Sequence, residues 1–375
     1  MVAQHSVKIL KILIIAPAWI GDMVMSHSLI RFLKDQHAIK YPEMQSELII
    51  DVLVPAHGQA IYQAMPEVSE ILISPFKHGE FSWTARKQLG QSLKSKNYDE
   101  AIVLPNSWKS ALVPYFAKIK IRTGYLGEGR FFLLNNFFKL TKARKKILPL
   151  MVQRFCVLGL LGLNKKSFKN LIKNNNSNFL LNSLPKPRLI IPSDWREESF
   201  KKFFQDLNQD KINSKKLVIL CPGAEYGPAK KWPIEHYASL STSLRLLGFD
   251  VWILGAAGDQ KDGDEIALRT PGVINLAGKT SLKEAMVILD QAEHVITNDS
   301  GLMHIRAALD KSLVGLFGST SPLFTPPLSN QAHILGIDLY CRPCFERICP
   351  KEGEGFMKCL RDLKPELVLE SLGLK

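Results

Sequence analysis

Lys216-Leu217-Val218-Ile219-Leu220-Cys221-Pro222, near the middle of the chain, repeats the pattern of Lys11-Ile12-Leu13-Ile14-Ile15-Ala16-Pro17 near its start. Each is a lysine followed by a continuous apolar run that ends in a proline-containing turn. A run without polar alternation suits a strand buried on both faces, as in a parallel sheet covered by helices on each side. More such runs come after each copy. In the first half they are Leu48–Val54, Glu70–Ile73 and Glu100–Leu104, separated by helix-like stretches such as Met23–Leu33 and Trp83–Lys96. In the second half they are Asp250–Leu254, Val273–Asn275, His294–Thr297 and Leu313–Phe317. Helical patterns at Ile234–Leu247, Asp262–Arg269, Ser281–Asp290 and Leu302–Leu309 lie between those. Strand–helix alternation, twice over, implies an α/β chain of two Rossmann-like domains, each a doubly wound parallel sheet.

The join between the halves, Asn164 to Ser183, is rich in Asn and Lys, and Pro185, Pro187 and Pro192 stiffen the crossing into the second half. This divides the chain into an N-terminal domain, 1–184, and a C-terminal domain, 185–350. A helical tail, 351–375, is expected to pack back toward the N-terminal domain. Ligands of open α/β sheets sit beyond the carboxyl ends of the strands, so a cleft between the two domains is the expected place for chemistry.

A length of 375 residues agrees with two domains. No apolar run approaches the ~20 residues that cross a bilayer. Lys8 and Lys11 interrupt the N-terminal apolar run, which reads as a first strand rather than a secretory signal. A cytoplasmic protein is the expectation. The net charge of +14 suits an anionic membrane face or a small phosphorylated ligand, although much of it is ordinary solvated surface. Nucleic acid is a poor match, because the basic residues are not interleaved with aromatics in any binding module. Of six cysteines, Cys156 and Cys221 read as small core residues. Cys341, Cys344, Cys349 and Cys359 cluster as C-x2-C, x4, C, x9, C, which is either a run of reduced thiols near a loop or a set of ligands for structural zinc.

The candidate chemistry lies in turns at the ends of strands. Asn298-Asp299-Ser300-Gly301-Leu302-Met303-His304 joins an apolar run to a helix-like one. Unpaired N–H groups at such a helix start, with the helix dipole behind them, form an anion site. Asp299 and Ser300 are natural N-caps, and Gly301 admits a phosphate close to the backbone. Pro222 to Pro233 is a second phosphate-suited segment, with Gly223, Ala224 and Glu225 at its start and Lys230 or Lys231 to face a departing diphosphate. Trp232-Pro233 is read as packing and as the start of the next helix. Asp259 is placed either to meet a ribose or to cap a helix. Asp22, beside the start of the Met23–Leu33 helix, is either a cap or a general base. Asp262-Gly263-Asp264 matches a D-x-D metal pattern but sits at a helix start, where acidic residues complement the dipole. No Walker loop is present, and Gly124, Gly127 and Gly129 are too scattered for a nucleotide motif.

Together these residues resemble the ADP-heptose:lipopolysaccharide heptosyltransferases (glycosyltransferase family 9, GT-B fold), closest to the heptosyltransferase II branch. The matching blocks are Ala18–Ser26, Met65–Val68, Leu104–Pro114, Pro222–Pro233, Asn298–His304 and Ser321–Leu328, spanning nearly the whole chain. The resemblance implies an inverting transfer of L-glycero-D-manno-heptose from ADP-heptose onto the first heptose of the lipopolysaccharide inner core, with no metal in the chemistry. It implies Asp22 as the base, Lys230 as the donor-phosphate lysine with Lys231 beside it, Asp299–Leu302 as the donor loop and Asp259 as the ribose contact. His304 closes the donor block.

The acceptor would be a phosphorylated lipid A–Kdo–heptose at the inner leaflet, making the protein a peripheral one at the inner face of the inner membrane. Asn106, Lys109, Arg122 and Arg130 are the candidate acceptor contacts. Arg306 departs from the small residue usual at its place, either reaching the donor phosphates or snorkelling to solvent. The Cys341–Cys359 segment resembles a tail of only some relatives and lacks the His that often precedes the last Cys. Rival readings are the first-heptose step, another GT-B nucleotide-sugar enzyme such as a 2-epimerase, and a non-catalytic lipopolysaccharide-binding protein.

Overall fold

A computed structural model describes residues 8–42, 46–76, 79–163, 184–203 and 217–374. The expected linker Asn164–Ser183 lies outside the described residues. The chain forms two units, Met1–Pro187 and Arg188–Lys375. In the first unit the apolar runs become strands β1 (Lys8–Ile15), β2 (Ser46–Pro55), β3 (Glu70–Ser74) and β4 (Glu100–Val103), joined by β5 (Ile121–Tyr125) and β6 (Asn136–Phe138). All pair in parallel, in the order β3-β2-β1-β4-β5-β6. In the second unit the strands are β7 (Leu217–Cys221), β8 (Asp250–Ile253), β9 (Ile274–Asn275), β10 (His294–Asn298), β11 (Leu313–Leu316) and β12 (Ala332–Leu335). Their order, β12-β11-β10-β7-β8-β9, is the same topology written from the other edge.

Both sheets therefore reverse strand order between their first and fourth strands, at β1/β4 and at β7/β10. The crevice beyond the carboxyl ends at such a reversal is where doubly wound sheets bind ligands. The central strands can stand there because their middle residues are apolar and sealed from water. Ile12, Leu13 and Ile14 of β1 and Val218, Ile219 and Leu220 of β7 are fully buried. Each such side chain contributes about 1.5–3 kcal/mol by leaving water.

The helix after β1 runs from Ile20 to Lys40, starting earlier than the expected Met23, so Asp22 falls inside its first turn. Glu67 holds this helix from outside. Its carboxylate lies 2.7 Å from the His27 imidazole Nε2 and 3.5 Å from Arg31 Nε. The Met65–Val68 block is thus a brace for the helix carrying Asp22. The Leu282–Gln291 helix opens on a capping box, in which Ser281 and Glu284 satisfy each other's amides.

Residues 351–374 supply core side chains to the second unit. Leu360, Leu363 and Val368 enter the core of the second unit, packed with Trp232, Tyr237 and Leu240. The Trp232 indole N–H donates to the Leu363 carbonyl at 2.7 Å. An amphipathic end segment finds the nearest uncovered apolar face, and here that face belongs to its own unit. Among the described residues no helix is long and apolar enough to cross a membrane.

Candidate active site

The two phosphate-suited segments leave adjacent strands, β7 and β10, and one buried amide joins them. Asn298, the last residue of β10, is fully buried. Its side-chain oxygen accepts from the Trp232 N–H at 3.1 Å and the Tyr237 hydroxyl at 3.1 Å, and its amide donates to the Pro222 carbonyl at 2.6 Å. Both ends of the 222–233 loop are therefore fixed to the start of the 298–304 turn. The sequence shows Asn298 at the head of the turn but assigns it no task. An amide closing an otherwise apolar strand is the signal it offers.

Within that frame Lys230 Nζ meets Asp299 Oδ2 at 2.7 Å and the Asp299 carbonyl at 3.3 Å. The Thr320 hydroxyl donates to the same Oδ2 at 2.6 Å. Lys230 also lies 5.0 Å from the Tyr226 ring centroid. Asp299 is 5% exposed as a side chain and Lys230 14%, so the pair sits at the floor of the turn with the cation the more open member. Thr320 and Tyr226 do not stand out in the sequence. Asp299 is not the expected cap, because its carboxylate turns to Lys230 instead. Ser300 takes the N-cap position of the Gly301–Ala308 helix with extended backbone and no side-chain cap bond, its hydroxyl 3.2 Å from that of Thr297. The helix start thus presents backbone amides without a capping side chain.

His304, one turn further on, is buried. Burial lowers its pKa to about 4, with Asp299 acting against the shift and Lys230 with it. At neutral pH it is an uncharged imidazole behind the turn, not a cation for a phosphate.

Lys231 takes a different set of partners, Asp262 at 2.7 Å and Asp259 at 3.3 Å. Burial opposes its charge, but these two carboxylates hold its pKa above the usual lysine value. Asp259 also accepts the Ala256 N–H at 3.0 Å. It presses on Gly223, where an added Cβ would stand 2.1 Å from the carboxylate and force Asp259 to shift. Ala224 is buried and Glu225 exposed. The D-x-D pair is divided between unrelated tasks, since Asp262 meets Lys231 and Asp264 accepts from Asn275 at 2.8 Å.

The cysteine-bearing segment buttresses the 222–233 loop. The Tyr226 hydroxyl donates to the Phe345 carbonyl at 2.6 Å and the Ala229 N–H to the Arg347 carbonyl at 3.0 Å. Cys341, Cys344, Cys349 and Cys359 are free thiols. Among the described residues no three His, Cys, Asp or Glu side chains are grouped to hold a metal, so the zinc reading of this cluster finds no ligand set. Sulfur of Cys349 instead accepts the Met357 N–H at 3.3 Å.

In the first unit Asp22 is half-buried beside the β1/β4 reversal. Burial raises the Tyr62 phenol pKa and the nearby Asp22 charge adds to that rise, while a bond of 3.0 Å to Ser26 opposes it. Asn106 is exposed on the turn after β4, and Lys109 reaches the Glu80 carbonyl at 3.2 Å.

Arg130 and Arg122 correct the expectation of two acceptor contacts. Arg130 is fully buried, and its guanidinium donates to the carbonyls of Tyr125 and Ser107 and to the Ser110 hydroxyl, all within 3.1 Å. Desolvation brings its pKa down to about 10, and the side chain is a loop brace rather than an exposed cation. Arg122 stands at the amino end of β5, away from the ligand edge, donating to the Leu133 and Ile119 carbonyls at 2.6 Å. Arg306 neither reaches phosphate nor snorkels. Fully buried, it donates to the carbonyls of Leu289, Ala292, Glu293 and Ser312, closing the end of the Leu282–Gln291 helix.

Residues 86–354 match the model of glycosyltransferase family 9 (heptosyltransferase). The chain belongs to glycosyltransferase family 9. Lipooligosaccharide heptosyltransferase 2 of Haemophilus influenzae is 41% identical over 368 residues, covering 97% of this chain and 98% of that protein. Lipopolysaccharide heptosyltransferase 2 of Escherichia coli is 40% identical, with 97% of each chain covered. The solved structure of E. coli ADP-heptose lps heptosyltransferase II superposes with a TM-score of 0.78 at 38% identity, covering 97% of this chain and 98% of that one. This family 9 glycosyltransferase accordingly has the GT-B architecture of two Rossmann-like domains, and its two six-stranded parallel sheets are those domains.

Proposed function

We infer that this glycosyltransferase moves L-glycero-D-manno-heptose from ADP-heptose onto the first heptose of the lipopolysaccharide inner core, with inversion. The observation that carries the donor side is the Lys230–Asp299 pair beside an uncapped helix start at a strand-order reversal. The likeness to heptosyltransferases 2 at about 40% identity over nearly the full length supports the sugar and the step.

Asp22 takes the proton of the acceptor hydroxyl as that oxygen approaches the anomeric carbon. On the opposite face the bond from that carbon to the ADP oxygen breaks, with positive charge shared on the sugar ring. ADP departs with the bonding pair, and its growing charge faces Lys230 and the amides of Gly301 and Leu302. Groups placed where charge develops lower the barrier more than they stabilise the bound donor. Asp299 and Thr320 hold Lys230 in position before the donor arrives. Asp259 and the Gly223–Glu225 turn take the ribose side. Asn106 and Lys109 are the acceptor contacts that remain after Arg122 and Arg130 are assigned to structure. The working place is the inner face of the inner membrane, where such an acceptor is anchored.

The test is ADP release by purified protein given ADP-heptose, with heptosyl-Kdo2-lipid A or Kdo2-lipid A as acceptor. Release with the heptosylated acceptor alone is expected. Release with the unheptosylated one alone moves the enzyme to the first-heptose step, and release with neither refutes the heptosyltransferase reading.

A further inference from the structure

Two arginines are buried beneath four exposed aromatic rings in the first unit, the reverse of the usual partition. Arg130 is 0% exposed, whereas its neighbours Phe131 and Phe132 are 64% and 54% exposed and the next two residues, Leu133 and Leu134, are buried. The guanidinium bonds of Arg130 to Tyr125, Ser107 and Ser110 fix this turn, so the two phenylalanines are held outward by a rigid brace. Arg86 repeats the arrangement. It is buried and donates to the carbonyls of Phe81 at 2.6 Å, Glu80 at 3.0 Å and Lys109 at 3.4 Å. Phe81 and Trp83 beside it are 49% and 44% exposed.

The rings form one continuous surface. Trp108 stacks on Phe81 at 5.7 Å and on Trp83 at 5.9 Å, meets Phe132 at 6.1 Å, and Phe132 meets Phe131 at 5.8 Å. The loops that carry them come after β3, β4 and β5, and the middle one also bears Asn106 and Lys109. An exposed apolar patch of this extent marks a contact with another apolar phase.

Charge names that phase. The first unit holds 26 lysines and arginines against 11 acidic residues, and the second 23 against 24, so the first unit carries the whole net positive charge. Between Ala101 and Pro187 there are 16 basic residues and one acidic residue, Glu128, whose carboxylate accepts the Trp108 N–H at 2.6 Å. Aromatic rings at the headgroup level with cations around them are the signature of an interfacial anchor on acidic lipid. We propose that the Phe81–Trp83–Trp108–Phe131–Phe132 surface seats this protein on an anionic bilayer, with the phenylalanine pair entering the headgroup–acyl boundary. The proposal rests on the proposed function, in which the acceptor is anchored in a membrane.

The experiment is flotation of the full chain with vesicles of phosphatidylethanolamine and phosphatidylglycerol that contain no glycolipid. Phosphatidylcholine vesicles serve as the uncharged comparison. The variant is Phe131→Ser with Phe132→Ser, and the control is Leu268→Ser with Leu323→Ser, two residues that are 84% and 77% exposed on the second unit. ADP release on a deacylated, water-soluble acceptor is measured beside it. The phenylalanine variant is expected to lose roughly tenfold or more in partition to the anionic vesicles, from apolar area no longer buried. The control keeps its partition, neutral vesicles bind less, and turnover of the soluble acceptor stays unchanged in both variants.

Wild-type protein that ignores anionic vesicles, or a variant that binds them as wild type does, overturns the proposal. A variant that binds vesicles normally but loses turnover of the soluble acceptor also overturns it, because the rings then meet the sugar. Absence of ADP release from the wild type refutes the transferase reading instead, and the partition result still decides the lipid surface.

Discussion

Replacing Asn298 with Ala removes the side chain that ties the 222–233 loop to the 298–304 turn. The change takes away the acceptor shared by the Trp232 N–H and the Tyr237 hydroxyl, and the donor to the Pro222 carbonyl. All of this happens at a position with no exposure. The Tyr237 hydroxyl retains a second acceptor, the Cys221 carbonyl at 3.3 Å. Two buried backbone groups, the Trp232 N–H and the Pro222 carbonyl, are left without that partner, at about 1–3 kcal/mol each. The expected loss is therefore about 2–6 kcal/mol, which at roughly 2–4 °C per kcal/mol for a unit of this size lowers Tm by roughly 4–24 °C. Urea unfolding monitored by tryptophan fluorescence reads the loss, since Trp232 lies in the affected core. ADP titration at a temperature where the variant is folded reads the second consequence. Both ends of the 222–233 loop are then free to move, and ADP affinity falls by at least about tenfold, the equivalent of one charged hydrogen bond. A stability loss under about 1 kcal/mol with unchanged ADP affinity would refute the idea that this amide organises the site.

The same geometry fixes three further outcomes. Lys230→Met removes the cation beside Asp299, so ADP affinity and turnover should both fall, roughly 10- to 100-fold for a charged hydrogen bond. Calorimetric ADP titration unchanged by the substitution contradicts the phosphate role. Arg306→Leu takes a donor from the carbonyls of Leu289, Ala292 and Glu293 and from that of Ser312, which keeps the Val295 N–H at 3.3 Å, and should cost about 3–5 kcal/mol in urea unfolding, while turnover per folded molecule is kept. A selective loss of ADP affinity in that variant would return Arg306 to the site. His304 titrates near pH 4 when folded, below its unfolded value of about 6.5, so acidification protonates the unfolded chain first. The stability it contributes is whole above about pH 6.5 and drains as pH falls toward 4, by about 3 kcal/mol in all. Comparing wild type with His304→Gln between pH 7 and pH 4 checks this, and an equal acid slope in both contradicts it.

The long apolar runs made the fold legible, because β1, β2, β7 and β10 are buried on both faces and have no other sensible conformation. Three strands, β5, β6 and β12, did not announce themselves. Ile121–Tyr125 contains Arg122 and Gly124, Asn136–Phe138 is three residues long, and Ala332–Leu335 is partly exposed. Their pairing comes from the neighbouring strand rather than from their own pattern. The candidate site was legible as a set of turns, because those bearing Gly223, Lys230 and Gly301 each follow an apolar run. It was misread where a side chain serves distant carbonyls. Arg130 and Arg306 look like surface cations in sequence, yet each fills a pocket of carbonyl groups that only the folded chain assembles. Asn298 was opaque for the same reason, since its partners lie 61 to 76 residues away.

The central claim is that Asp22 is the base in a transfer whose donor is held elsewhere, by Lys230 and the Asp299–Leu302 turn. The most direct measurement compares Asp22→Asn with wild type for both ADP release and ADP affinity. Turnover with the heptosylated acceptor is expected to fall by about 10²–10⁴-fold, while ADP affinity stays within about twofold of wild type, less than half a kcal/mol. Turnover that survives the substitution, or ADP affinity lost in equal measure, would contradict the claim.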